Sequence, residues 1–157
     1  MDGEITVRGF KNSATPIIAA TLLTGRVCIL RNIPRIGDVV KLLEILKGIG
    51  SKQKWLDEHT LEIQNDDLSP RNLNQDLLGQ IRSSILLIGP MLARFGEVQF
   101  AVPGGCKIGS RPIDTHLEAF RDAGAEIEFD EGQGLYSIRL KNLQCPPRKP
   151  HPLGRGM

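Results

Sequence analysis

Two stretches of this sequence are one pattern written twice, and a duplication leaves few folds open to a chain of 157 residues. KNSATPIIAATLLTG, from Lys11 to Gly25, lies over RSSILLIGPMLARFG, from Arg82 to Gly96, at a constant offset of 71 (82 − 11). LEILKGIG, from Leu43 to Gly50, lies over LEAFRDAG, from Leu117 to Gly124, at an offset of 74 (117 − 43). Three residues have therefore entered the second copy between its two anchors. The first copy crosses that gap with RNIPRIGD and the second with PGGCKIGSRPID. A duplicated scaffold needs no longer crossover in one copy for stability, so the elaborated copy is where a functional loop is expected.

Hydrophobic periodicity fills in the unit. The spacing predicts a strand over 4–8, a helix from about 13 to 24, a strand over 26–33, a helix from about 37 to 48 and short strands near 52–55 and 60–64. For the second copy it predicts a helix from about 82 to 95, a strand over 97–102, a helix from about 112 to 123 and strands near 126–129 and 135–140. A polar connector, QNDDLSPRNLNQD, links the copies. The fold class is thus α/β (in the wider sense α+β), with repeat one over about 4–66 and repeat two over about 75–143. The length suits one domain, and with aromatics at 4% its core must be built from Ile, Leu, Val and Ala.

Several function classes lose support at once. The formal charge of +2 is small and the basic residues are scattered, which gives nucleic-acid binding no footprint. No run approaches the roughly 20 apolar residues that span a bilayer, and MDGEITVRG lacks the order of a signal peptide, so no membrane partner and a cytoplasmic location are expected. Cys28, Cys106 and Cys145 are widely spaced and lack nearby histidines, so neither a metal site nor a disulfide framework is expected. His59, His116 and His151 are dispersed and read as surface or structural residues. Trp55 reads as a partly covered hairpin residue, and Asp66 and Asp67 belong to the connector.

The candidate chemistry lies at the repeat's helix starts and in the elaborated crossover. Lys11 and Arg82 hold equivalent positions, each ahead of small polar residues (Asn12 and Ser13; Ser83 and Ser84) that suit a helix N-cap. A cation beside the positive end of a helix makes a site for phosphate or carboxylate, although either residue alone reads equally as a solvated charge. Cys106, between two glycines and Lys107, Gly109 and Arg111, is a thiol in an electropositive loop and fits a nucleophile or proton donor; the alternative is an inert half-buried thiol, the reading given to Cys28. Arg111 followed by Pro112 can clamp a flat heterocycle while the cation reaches a phosphate. Pro112 and Asp114 are equally explained as the start of the next helix.

GFKNSATPIIAATLL, QIRSSILLIGPMLARFG and above all PGGCKIGSRPIDTHLEAF resemble the UDP-N-acetylglucosamine 1-carboxyvinyltransferases, a family of enolpyruvyl transferases, over about residues 3–143. The resemblance implies an inside-out α/β barrel built from βαβαββ-type units, of which this chain holds about two of the three in one domain, with the active site in a cleft facing a second domain. It implies that Lys11 and Arg111 hold the phosphate of phosphoenolpyruvate and that Asn12 contacts the substrates. Cys106 becomes the proton donor to the enolpyruvyl methylene carbon and the thiol that fosfomycin alkylates. Arg82 and the segment Arg111, Pro112, Ile113, Asp114, Thr115 become the UDP-N-acetylglucosamine site. Neither a cofactor nor a metal is implied.

The sequence also departs from that family. After LYSIRLKNL it runs QCPPRKPHPLGRGM, whose four prolines cannot propagate a helix or a central strand, so 144–157 is expected to be a disordered Pro/basic tail. The third unit, the second domain and the family's catalytic acidic residue have no counterpart here, and the strand that precedes GEITVRG in the family is lacking. The chain therefore reads as a truncated piece, inactive alone, with exposed core that favours self-association. The competing readings are a 5-enolpyruvylshikimate-3-phosphate synthase-like enzyme, which does not use the GGC loop, a non-catalytic nucleotide-sugar-binding remnant, and an RNA-end-processing cyclase, which the charge does not suit.

Overall fold

The computed structural model describes residues 2–5, 7–102 and 113–140. The first unit runs α1 (Lys11–Ala20), a 3-10 turn (Thr21–Leu23), β1 (Cys28–Leu30), α2 (Gly37–Gly48), β2 (Lys52–Trp55) and β3 (Leu61–Gln64). A 3-10 turn (Pro70–Asn72) and α3 (Gln75–Gln80) lead into the second unit: a 3-10 stretch (Arg82–Leu87), α4 (Ile88–Phe95), β4 (Glu97–Ala101), α5 (Asp114–Asp122), β5 (Ala125–Asp130) and β6 (Leu135–Leu140). Each unit closes an antiparallel three-stranded sheet, in the orders β1-β3-β2 and β4-β6-β5.

The duplication extends to the register. Cys28 faces Ile63 in the first sheet and Gln99 faces Ser137 in the second, positions related by 71 and 74. In the hairpins the register moves by one: Lys52 faces Gln64, but Glu126 faces Arg139 rather than Ile138, because the turn closed by Asp130 and Leu135 is one residue shorter than that closed by Trp55 and Leu61. Gly50 and Gly124 occupy the same place after α2 and α5 with φ of 109° and 92°. At Gly50 a Cβ would also meet the Asp67 carbonyl oxygen at 2.6 Å, so the glycine is required twice over.

The core lies where the helices of the two units meet. α1 packs on α2 and on the Arg82–Leu87 stretch, α4 packs on the Thr21–Leu23 turn, and α2 reaches α3. Ile18, Leu22, Leu42, Ile45, Leu46, Leu87, Ile88 and Met91 are fully buried there, an aliphatic core as the composition required. Arg94 crosses the join, donating to the carbonyls of Leu22 (2.9 Å) and Asp66 (3.3 Å).

Four expectations from the sequence need correction. The described residues of 4–8 form no strand: Ile5 and Val7 are 89% and 83% exposed, since an extended propensity becomes a strand only where a neighbour completes its ladder. β1 covers three residues instead of eight, because Asn32 turns to φ 58° and its Oδ1 accepts the Gly9 N–H at 2.9 Å. The helix expected over 82–95 begins as a 3-10 stretch and becomes α-helical only at Ile88, two residues before Pro90, which has no N–H to give and so belongs in a first turn. The helix expected from about 112 begins at Asp114. The connector also holds the short helix α3, whose N-cap Asn74 accepts the Leu77 N–H at 3.0 Å.

Candidate functional site

Lys11 is the first residue of α1, so its side chain leaves from the helix end where N–H groups lack intrahelical partners. Its Nζ lies 2.8 Å from Oδ2 of Asp38 in the first turn of α2, both side chains partly exposed. The ion pair brings the positive ends of α1 and α2 to one place. Asn12 is exposed beside Lys11.

Arg82 opens the 3-10 stretch that packs against α1, and it is half-buried. The two helix starts share their internal bonding: Ser13 Oγ donates to the Phe10 carbonyl at 2.8 Å, and Ser84 Oγ donates to the Ile81 carbonyl at 2.7 Å, each pair 71 apart. This corrects the capping expectation. The caps are Phe10 and Ile81, neither with a side-chain cap bond, and the serines lie inside the first turn, bonding back to the residue three before. The helix therefore starts at the cation itself, which projects each charge from the first helical residue.

Ile113 is buried, and its carbonyl accepts the N–H groups of His116 (2.9 Å) and Leu117 (3.1 Å), pinning the start of α5. Asp114 and Thr115 follow it, exposed at the positive end of that helix. Cys106, Arg111 and Pro112 lie outside the described residues, as do Cys145, His151 and the 144–157 tail. Cys28 is a half-buried free thiol in β1, as expected of it. Trp55 is half-buried in β2, with the Arg35 guanidinium 4.2 Å above its ring. Among the described residues no group of His, Cys, Asp and Glu is arranged to hold a metal.

Two further residues escaped the sequence reading. Asp38 was visible only as an acidic residue in a first helical turn, and nothing local indicated that it would reach Lys11 across 27 residues. Gln75, the first residue of α3, accepts the Ala101 N–H on Oε1 at 2.8 Å and donates from Nε2 to the Gln99 carbonyl at 3.2 Å. A separate open cavity of about 390 Å³ lies between the Pro70–Asn72 turn and the β4 and β6 strands. Its lining includes Arg71, Glu97 and Arg139 but neither Lys11 nor Arg82. The electrostatically perturbed groups lie elsewhere again: Asp66 is held below the usual carboxylate range, chiefly by its hydrogen bond from Lys52 at 2.8 Å, and Asp57 by the backbone N–H of His59.

The described residues thus form a duplicated α/β unit with a cation at each of two equivalent helix starts. Residues 1–148 match the family described as EPSP synthase (3-phosphoshikimate 1-carboxyvinyltransferase), and the chain belongs to that family of carboxyvinyl (enolpyruvyl) transferases. Among curated proteins it is 47% identical over 144 residues to UDP-N-acetylglucosamine 1-carboxyvinyltransferase 1 of Carboxydothermus hydrogenoformans, covering 92% of this chain and 33% of that protein. It is 38% identical over 141 residues to UDP-N-acetylglucosamine 1-carboxyvinyltransferase of Campylobacter hominis, covering 90% and 34%. Of solved structures, the enolpyruvyl transferase NikO from Streptomyces tendae superposes with a TM-score of 0.76 at 20% identity, over 90% of this chain and 31% of that one. EPSP synthase from Acinetobacter baumannii superposes with a TM-score of 0.61 at 18% identity, over 88% and 32%. These superpositions establish the fold as that of part of an enolpyruvyl transferase domain. The chain spans about a third of the length of the curated relatives it matches. Among the described residues no helix is long and apolar enough to cross a membrane.

Proposed function

We propose that this chain carries one wall of the active site that moves the enolpyruvyl group of phosphoenolpyruvate to the 3-hydroxyl of UDP-N-acetylglucosamine, the first committed step of peptidoglycan synthesis, in the cytoplasm. The observation that carries the reading is the pair of equivalent helix starts, Lys11 and Arg82, on elements that pack together, in a chain 38–47% identical to relatives named for this reaction. The relevant portion is one partial domain over 1–143.

In this reading Lys11 and Arg111 hold the phosphate, and Asn12 contacts both substrates. Arg82, with Arg111, Pro112, Ile113, Asp114 and Thr115, takes UDP-N-acetylglucosamine. The 3-hydroxyl gives its proton to a general base as its oxygen bonds to C2 of phosphoenolpyruvate, and the Cys106 thiol gives its proton to C3, which becomes a methyl group in a tetrahedral intermediate. Elimination then breaks the C2–O bond to phosphate while a base takes one C3 proton, which re-forms the C2–C3 double bond and leaves the enol ether and inorganic phosphate. Charge gathers on the departing phosphate, and fixed cations at helix starts stabilise it without reorganising. A 5-enolpyruvylshikimate-3-phosphate synthase-like reaction is the second reading within the same family; the GGC sequence at Gly104–Cys106 favours the first.

The chain covers 31–34% of its relatives, so the 157 residues by themselves are expected to bind nucleotide sugar without turnover. The test is calorimetric titration of the purified chain with UDP-N-acetylglucosamine, alongside phosphate release with both substrates. Saturable binding that Arg82→Ala weakens by about tenfold, with no phosphate release, is the expected result. A folded chain that binds no nucleotide sugar contradicts the site, and turnover at a full-length relative's rate contradicts the single-wall reading. Self-association belongs to the same proposal. Phe10 (62% exposed), Ile17 (48%) and Leu23 (59%) are exposed apolar side chains of the first unit, whereas Ile81 and Ile88, the equivalents of Phe10 and Ile17, are buried in the second.

A further inference from the structure

The two units share a fold, so a helix face that is buried in one and open in the other is covered by the neighbouring unit and not by its own. The first helical run of each unit differs in this way. Pro16, Ile17 and Ala20 are exposed, whereas their equivalents Leu87, Ile88 and Met91 are buried, at 0–1% exposure. Spacings of three and four residues set each trio on one helix face. The second unit therefore turns this face to the first, whose α1 and α2 pack on the Arg82–Leu87 stretch and whose Thr21–Leu23 turn packs on α4.

The receiving surface shows the reverse. Ile18 and Leu22 in the first helical run, with Ile45 and Leu46 of α2, are fully buried. Their equivalents in the second unit, Gly89 and Ala93 with Ala119 and Phe120, are at least partly open. There α4 and α5 border one groove, since a Cβ at Gly89 would lie 3.9 Å from Cε1 of Phe120. Each unit thus has a helix face and a groove, and inside the chain the face of the second unit fills the groove of the first. A contact between unlike surfaces leaves one of each unused, here the face of the first unit and the groove of the second. No charged side chain lies between Lys11 and Arg26, and a helix without charge on any side belongs in an interior.

We propose that the groove between α4 and α5 of one copy takes the Pro16, Ile17 and Ala20 face of a second copy, repeating between chains the join already made within each. The occupant follows from continuity with that join, because the free face and the free groove are the equivalents of the two surfaces it uses. The inference rests on the self-association proposed above, to which it gives a geometry, and is independent of the transfer chemistry. The contact is head to tail: each added copy brings a new face and a new groove, so assembly proceeds past the dimer.

The test is sedimentation velocity on two variants substituted at exposed positions. Ile17→Lys blocks the face and Ala119→Lys blocks the groove. Each alone is expected to stay monomeric at concentrations where the unsubstituted chain forms dimers and larger species, its apparent Kd weakened at least about tenfold by an ammonium buried without a partner. Mixed in equal amounts, the intact groove of the first variant meets the intact face of the second, and the mixture is expected to form a dimer and nothing larger. Ala93→Lys, at the other border of the groove, takes the place of Ala119→Lys if that variant does not fold. A mixture that stays monomeric while the unsubstituted chain associates overturns the head-to-tail contact and leaves self-association through other surfaces. An unsubstituted chain that is monomeric at every concentration overturns both, and assigns the groove to a chain other than this one.

Discussion

Lys11 and Asp38 make an ion pair at 2.8 Å that is open to solvent on both sides, and such pairs contribute roughly 0–1 kcal/mol to stability. Its importance is therefore to the proposed anion site. Lys11→Met should change Tm little while abolishing measurable binding of phosphoenolpyruvate. Asp38→Asn keeps an acceptor for the ammonium but removes the competing negative charge, so it should tighten binding of inorganic phosphate several-fold; isothermal titration of both variants reads the opposite signs. Lys11 and Arg82 could be picked out in the sequence because the repeat set them in equivalent positions, and Asn12 through the family resemblance. Asp38 and Gln75 could not: each acts on a partner 24 to 27 residues away, and only the packed chain brings those partners within hydrogen-bond reach.

The elements were legible where a period was long enough to read. α2 buries Val39, Leu42, Leu43, Ile45 and Leu46 at helical spacing, and β5 alternates Ala125, Ile127 and Phe129 with acidic residues in sequence. The six-residue α3 carries too little periodicity to be read, and 4–8 has the composition of a strand without a neighbour to pair with. Equivalent helices also differ in what covers them. Leu46 of α2 is fully buried, while Phe120, its equivalent on α5, is only partly covered. Leu46→Ala should cost about 2–5 kcal/mol and Phe120→Ala under about 2, measured by urea unfolding. The β2–β3 hairpin has its own pH dependence. Asp57 Oδ1 accepts the His59 and Thr60 N–H groups at 2.7 Å each, and its folded pKa is lowered chiefly by the His59 bond. A lowered folded pKa contributes stability above the unfolded value of about 3.9 and loses it as pH falls through the folded one. Asp57→Ala should therefore lower Tm at pH 7, with the difference from the unsubstituted chain shrinking below about pH 4.

At the scale of the molecule, the duplication explains both what is packed and what is not. The helices of the first unit pack against those of the second, and Ile17 and Leu23 stay on the surface. Sedimentation of the purified chain should show concentration-dependent association, and the double substitution Ile17→Lys with Leu23→Lys should abolish it while leaving the core untouched; a monomer at all concentrations contradicts a docking role for these side chains. The same arrangement sets the helix starts of Lys11 and Arg82 on packed elements, with the Cys106 segment entered from the end of β4. The most direct test of enolpyruvyl-transfer chemistry at this site is mass spectrometry of the chain after fosfomycin treatment in the presence of UDP-N-acetylglucosamine. A single adduct on the peptide containing Cys106, absent in Cys106→Ala and slowed in Arg82→Ala, is the predicted result; an unmodified Cys106 in a folded chain that binds the nucleotide sugar would contradict it.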